Sequence, residues 1–276
     1  MSEVVTIDTR TQDLLASLDA GVLTLTLNRP EVRNAMSYAM NKALQEQLSA
    51  AEFSPEVRCV VLTGAGAGFC AGGDVKSMAA SDDGTVGALT IDQAIHRQRA
   101  NQRATAGKLF RMPKPTIAAL PGAAAGAGLA LALACDMRIM AQNAIMTTAF
   151  ARVGFSGDYG GSYFITQLVG AAKARELYFL SDRVGAEEAL RLGLTNWVCA
   201  TEHLAFRTRE IAQRVANGPT VAYRYMKENL NRAMTSELED CLDLEATHHI
   251  HCGQTDDHLE AAKAFVAKRE PIFKGR

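Results

Sequence analysis

The sequence predicts an α/β core followed by an α-helical C-terminal region. Three observations carry that expectation. Through the first two thirds of the chain, short apolar or alternating runs that read as strands take turns with helical periodicities. Two of those strands end in glycine-rich junctions, Gly64–Met78 and Pro121–Asp136. Beyond Ala171 the pattern is almost wholly helical, an order that suits an α/β layer with helices appended to it. A chain of 276 residues is long enough to bury a sizeable core.

The elements follow from local chemistry. Residues 13–28 read as a hairpin: Asp19-Ala20-Gly21 supplies the turn, and Val22–Leu27 alternates Leu with Thr. From Ser37 a helical face of Met40, Ala43, Leu44, Leu48 and Ala51 runs until Ser54-Pro55 stops it. Cys59–Thr63 and Thr116–Leu120 are apolar strands, and Met137–Met140 is another. Residues 79–90, rich in Asp, Ser, Gly and Thr, read as a loop leading into a polar helix from about Ile91 to Phe110. Residues 149–163 read as a long glycine-bearing loop holding one acid, Asp158. Helices are expected over Ala171–Leu180, Ala186–Leu192, Glu202–Ala216, Thr220–Met234, Ser236–His251 and Thr255–Arg269.

Composition narrows the function. A formal net charge of -1 offers no basic footprint for nucleic acid or an anionic membrane, so a small-molecule or protein ligand is expected. The six cysteines are scattered without a C-x-x-C pair, which reads as a reduced cytoplasmic protein. The N-terminus MSEVVTIDTR has neither a basic nor an apolar leader region, so no signal peptide is expected. The longest apolar stretch, Ile117–Leu133, contains Pro121 and several glycines and reads as core, not as a membrane span. His248, His251 and Cys252 share a helix face without further ligand spacing, so subunit packing or solvent exposure is expected there and no metal site.

The two junctions carry the chemistry. Neither spells G-x-G-x-x-G, since Leu131 stands at the third glycine of the Gly126/Gly128 run, and no Gly-Lys-Ser/Thr triplet marks a P-loop. A glycine-rich turn opening a helix exposes unpaired N–H groups at the positive end of its dipole, although tight helix-on-strand packing would use the same small residues. Amides converging from Gly72-Gly73-Asp74 and Gly126-Ala127-Gly128 would form an oxyanion hole for an enolate or a tetrahedral oxyanion.

At these residues the chain resembles the enoyl-CoA hydratase/isomerase, or crotonase, superfamily. The matching segments are LTLNRPEVRNAMS (25–37), VVLTGAGAGFCAGGDVKSM (60–78), KPTIAALPGAAAGAGLALALACDMRI (114–139), residues 157–194 and AFVAKREPIFKGR (264–276). The resemblance implies a crotonase-like spiral of ββα units (residues 1–200) and a C-terminal helical trimerisation region (201–276). It also implies a homotrimer or dimer of trimers, and an acyl-CoA thioester as substrate with no prosthetic group. The oxyanion amides fall on Gly73 and Ala127. Arg29, Val32, Ala71, Asp74, Val75 and Lys76 match positions lining the coenzyme A pocket, and Phe273 and Lys274 match positions that cover a neighbouring subunit's coenzyme A.

The departures decide the expected reaction. The hydratases' two glutamates fall on Ala130 and Phe150, and losing a general acid or base removes about 10²- to 10⁴-fold in rate. The remaining acid, Asp158, resembles the aspartate used at this motif position by epoxyphenylacetyl-CoA/enoyl-CoA isomerases and dienoyl-CoA isomerases, where it shuttles a proton, and by chlorobenzoyl-CoA dehalogenases, where it is a nucleophile. The dehalogenase histidine falls on Gly107 and its tryptophan on Phe150, and the second carboxylate of the dienoyl isomerases also falls on Phe150. A one-acid isomerase fits with the fewest missing parts. An Asx-turn or helix N-cap is the structural alternative for Asp158. Hydration, or acyl-CoA binding without turnover, are the competing functions.

Overall fold

The computed structural model describes residues 4–74 and 89–276. Val75, Lys76 and residues 79–88 of the expected loop therefore lie outside the described residues, as does any helix after Gly73. The described residues form two sheets, and from β4 (Cys59–Gly64) to β9 (Ile145–Thr147) successive strands alternate between them.

The large sheet runs β1-β2-β3-β4-β6-β8-β11: β1 (Val5–Ile7), β2 (Leu14–Asp19), β3 (Val22–Leu27), β4 (Cys59–Gly64), β6 (Thr116–Leu120), β8 (Met137–Ala141) and β11 (Trp197–Cys199). The β2–β3 hairpin turns through Ala20 and Gly21, both at positive φ, the geometry of a two-residue turn whose twist matches the strands. From β3 onward all pairs are parallel. The middle strands are covered on both faces, which is why β4 and β6 read as unbroken apolar runs.

The small sheet runs β10-β9-β7-β5: β10 (Val184–Gly185), β9 (Ile145–Thr147), β7 (Ala123–Ala125) and β5 (Gly68–Cys70). Each of β4, β6 and β8 hands the chain to a strand of the small sheet. A helix then follows: α4 (Ala127–Ala134) after β7 and α5 (Gly161–Leu180) after β9. This is the expected spiral of ββα units. Its short strands are absent from the sequence pattern because Ala123–Ala125 favours helix by propensity and becomes strand only through its parallel pairing with β5 and β9.

Helix α1 (Tyr38–Phe53) buries the five predicted residues, and the Ser37 hydroxyl accepts from the Met40 N–H. The polar helix is two helices, α2 (Ile91–Ala104) and α3 (Ala106–Arg111), broken at Thr105 with φ -116° and ψ -90°. Helix α5 begins ten residues earlier than expected and is interrupted at Gly170, whose φ of 77° explains the apparent start at Ala171. The C-terminal third contains α6 (Ala186–Arg191), α7 (Leu204–Ala216), α8 (Thr220–Ala233), α9 (Leu238–Cys252) and α10 (Asp256–Val266). Helix α7 lies against β3, β4, β6 and β8 and buries Ala212 and Ala216. No described helix is long and apolar enough to cross a membrane.

Candidate active site

The two glycine-rich junctions meet. Gly72, at φ +88°, passes so close to the β7–α4 turn that a Cβ there would lie 3.2 Å from the Ala127 nitrogen. Gly128 presses on Cys70, where a Cβ would lie 2.5 Å from the Cys70 carbonyl oxygen. Only residues without side chains permit both approaches. Ala127 is the first residue of α4, so its N–H has no acceptor within the helix, whose first bond runs from the Ala130 N–H to the Gly126 carbonyl at 3.0 Å. Gly73 bridges Met36; the Met36 N–H donates to the Gly72 carbonyl at 2.8 Å, a pairing that does not use the Gly73 amide.

A residue that sequence reasoning passed over holds this junction. Asn34 is fully buried at φ 56°. Its Nδ2 donates to the Ala65 and Gly68 carbonyls at 2.9 and 2.8 Å, and its Oδ1 accepts from the Arg29 N–H at 2.9 Å. Asn tolerates this left-handed backbone better than most residues. The Cys70 thiol donates to the Asn34 carbonyl at 3.1 Å, and burial pushes that thiol up to about 12, so it stays neutral.

The expected coenzyme A positions are brought together in part. The Ala71 N–H donates to the Arg33 carbonyl at 3.0 Å, which sets Ala71–Asp74 beside Arg29 and Val32. Arg29 is committed to internal bonds: Nη1 to the Ala35 carbonyl at 2.8 Å and to Asp74 Oδ2 at 3.3 Å, and Nε near Asp13 Oδ2 at 3.8 Å. Phe273 and Lys274 lie elsewhere. Their backbone is held by Arg58, at the opposite end of β4 from Gly64, and by Asp257. A cavity of about 680 Å³ between α7 and the large sheet reaches Gly64 and Ala67, but Gly73, Ala127 and Asp158 do not line it.

Asp158 stands in the loop between a 3-10 turn (Phe150–Val153) and α5. Its Oδ2 accepts from Gln98 Nε2 at 3.2 Å, whereas its Oδ1 is buried without a partner. The side chain does not cap α5, whose N-cap position is Gly160. Burial raises the carboxyl to about 6. In this region Phe150 and Tyr159 are buried, whereas Phe155 is 57% exposed. The Phe150 ring stacks on Tyr178 at 5.9 Å, and Tyr178 in turn lies against Gly157 and Gly161. A Cβ on Gly161 would lie 3.3 Å from the Ala130 Cβ, so the α5 N-terminus packs on α4 at Ala130. Tyr159 and Tyr178 are both pushed up to about 12, first by burial and then by the Asp158 charge.

The other candidates have structural employment. Asp136 Oδ2 accepts from the Thr116 N–H at 2.7 Å and from Lys227 Nζ at 2.9 Å, a strand-end ion pair. His248 Nδ1 meets Asn229 Oδ1 at 2.5 Å, and the His248 ring lies on Tyr225.

Residues 17–276 match the family described as Enoyl-CoA hydratase/isomerase. The chain belongs to the enoyl-CoA hydratase/isomerase family. Within it, the chain is 36% identical over 263 residues to the 1,2-epoxyphenylacetyl-CoA isomerase of Escherichia coli K12, covering 95% of this chain and 98% of that one. It is 32% identical to the short-chain-enoyl-CoA hydratase of Clostridium acetobutylicum, covering 96% and 98%. The crystal structure of an enoyl-CoA hydratase from Polaromonas sp. JS666 superimposes with a TM-score of 0.87 at 33% identity, covering 94% of this chain and 99% of that one. Enoyl-CoA hydratase/isomerase relatives named for either reaction thus align along almost their whole length, and the choice between the reactions falls to the residues of the site.

Proposed function

We propose that the chain is an acyl-CoA double-bond isomerase that holds an enolate between the Gly73 and Ala127 amides and moves the proton with Asp158. The observation that carries this reading is the state of Asp158: half-buried, one oxygen held by Gln98 and the other buried without a partner. A carboxylate raised to about 6 is still ionised at neutral pH and is a stronger base than an exposed one. It takes a proton from carbon as the electron pair moves onto the thioester oxygen, where two amides stabilise the charge, and it returns the proton to another carbon. Ala130 and Phe150 offer no carboxylate to position a water, which speaks against hydration.

The substrate on this reading is a coenzyme A thioester bound along Arg29, Val32, Ala71, Asp74, Val75 and Lys76, with no prosthetic group. Phe273 and Lys274 sit far from these residues within one chain, which supports a trimeric arrangement in which residues 201–276 bring them to a neighbour's ligand. The test is Asp158→Asn assayed on a 3-enoyl-CoA, with turnover expected to fall by at least about 10²-fold while CoA-ester binding persists. Unchanged turnover would sink the assignment. Conversion of crotonyl-CoA to 3-hydroxybutyryl-CoA would favour hydration, and thermal stabilisation by acyl-CoA without turnover on a thioester panel would favour a binding protein.

A further inference from the structure

We infer that Gln98 and Gln102, one turn apart on α2, form a positioning clamp that presents Asp158 to substrate through Oδ1 alone. The inference rests on the isomerase reading of Asp158 and adds to it the residues that hold the acid and the oxygen that moves the proton.

Residues four apart share one face of a helix. From that face Gln98 Nε2 donates to Asp158 Oδ2 at 3.2 Å, and Gln102 Oε1 accepts the Tyr159 N–H at 2.6 Å. The segment they grip is conformationally costly, with Gly157, Tyr159 and Gly160 at φ +104°, +51° and +78°. A bulky aromatic residue at positive φ persists only where its surroundings over-determine it. Helix α2 contributes to that determination by hydrogen bonding, for it buries no residue of its own. It starts from a complete Thr90/Gln93 capping box and is tied to α1 by Gln45 Nε2 donating to Asn101 Oδ1 at 3.2 Å. The amide side chains thus fix the acid together with the buried Tyr159 and the packing of Tyr178 against Gly157.

The two carboxylate oxygens are made unequal. Oδ2 is occupied by the Gln98 amide, and Oδ1, buried and unpartnered, is the oxygen that accepts the C–H proton and gives it back. Among the described residues, the titratable groups whose charge couples to Asp158 are Tyr159 beside it and Tyr178 from α5, with Cys70 of β5 coupled to Tyr159. All three are neutral at physiological pH. A neutral donor on Oδ2 favours the ionised carboxylate and so opposes the effect of burial.

The experiment compares the pH dependence of kcat for 3-enoyl-CoA isomerisation in the parent, Gln98→Met, Gln98→Glu, Gln102→Met and Asp158→Asn. Gln98→Met keeps length and removes the donor. It should move the acidic limb upward by about one pH unit, with KM within about twofold of the parent. Gln98→Glu sets a second carboxylate against the first and should move the limb further. Gln102→Met should lower kcat without moving the limb. Gln98→Met added to Asp158→Asn should cause no further loss. Limbs in Gln98→Met and Gln98→Glu that superimpose on the parent, with Asp158→Asn inactive, would overturn the clamp and leave the isomerase reading standing. Full turnover by Asp158→Asn would instead overturn the isomerase reading.

Discussion

Gly72 stands against Ala125 so closely that a Cβ on Gly72 would lie 2.8 Å from the Ala125 carbonyl oxygen. That contact joins the end of β5 to the turn that opens α4, so the Gly73 and Ala127 amides are held by one packed junction. Gly72→Ala adds an unfavourable left-handed backbone, φ +88°, to a clash with main-chain atoms that cannot swing away. The expected cost is about 2–4 kcal/mol in urea unfolding, with kcat falling more than KM rises. Parent-like stability would mean that the junction relaxes freely.

Much of this arrangement is legible in the sequence, and the rest is hidden for physical reasons. The face of α1 can be read because Met40, Ala43, Leu44, Leu48 and Ala51 repeat at helical spacing behind a Ser cap. The hairpin can be read because Leu and Thr alternate in β3 directly after a glycine turn. Strands β7 and β10 cannot, since they are two or three residues long and their state is set by partners distant in the chain. Asp158 stands out as a lone acid, but Gln98 and Gln102 do not: they are polar residues on a polar helix, and their partners lie 60 and 57 residues away. The pairing of Arg29 with Asp13 and Asp74 is likewise hidden, because Asp13 lies before and Asp74 well beyond it in the chain.

The raised carboxyl of Asp158 also has a consequence for stability. Its pKa rises from 3.8 to about 6 on folding, so between those values the native state binds more protons than the unfolded chain. Stability from this group therefore falls as pH rises through that window, and above about 6 the full penalty for burying the charge is present. Asp158→Asn removes the charge. It should be more stable than the parent at pH 8 by about 1–2 kcal/mol once partial exposure is allowed for, with the difference vanishing near pH 4. Thermal melts at the two pH values check the sign. The same acid limb should govern activity, with kcat/KM falling below about pH 6.

Away from the site, Lys227 is buried with its ammonium donating to the Leu109 and Lys114 carbonyls at 2.9 and 3.2 Å and to Asp136 at 2.9 Å. Lys227→Met leaves Asp136 without its cation, takes the ammonium donor from the Lys114 carbonyl, and leaves the Leu109 carbonyl only the Thr116 hydroxyl at 3.4 Å. A loss of about 3 kcal/mol is expected, near the low end for a broken buried pair because the Asp136 side chain is 26% exposed. Asp136→Asn in the same chain should recover part of it. Turnover per folded molecule should be unchanged in both variants, a result that separates this structural pair from the proposed chemistry.

The C-terminal tail gives the last test. Asp257 is buried, its carboxylate accepts the Lys274 and Gly275 N–H groups at 2.6 and 2.9 Å, and its own N–H donates to the Arg276 carbonyl at 3.1 Å. Arg58 adds bonds to the Phe273 and Gly218 carbonyls at 3.1 and 2.7 Å. Asp257→Ala removes two acceptors from the tail while leaving both sheets untouched. Trypsin should then cut at Lys274 at least about tenfold faster, because local opening of the tail no longer has to break these bonds. If Phe273 and Lys274 cover a neighbour's coenzyme A, KM for a CoA thioester should rise in the same variant while kcat holds, and KM for the corresponding N-acetylcysteamine thioester, which lacks the nucleotide, should not change. Equal effects on both substrates would place the tail's influence in the fold and not in coenzyme A recognition.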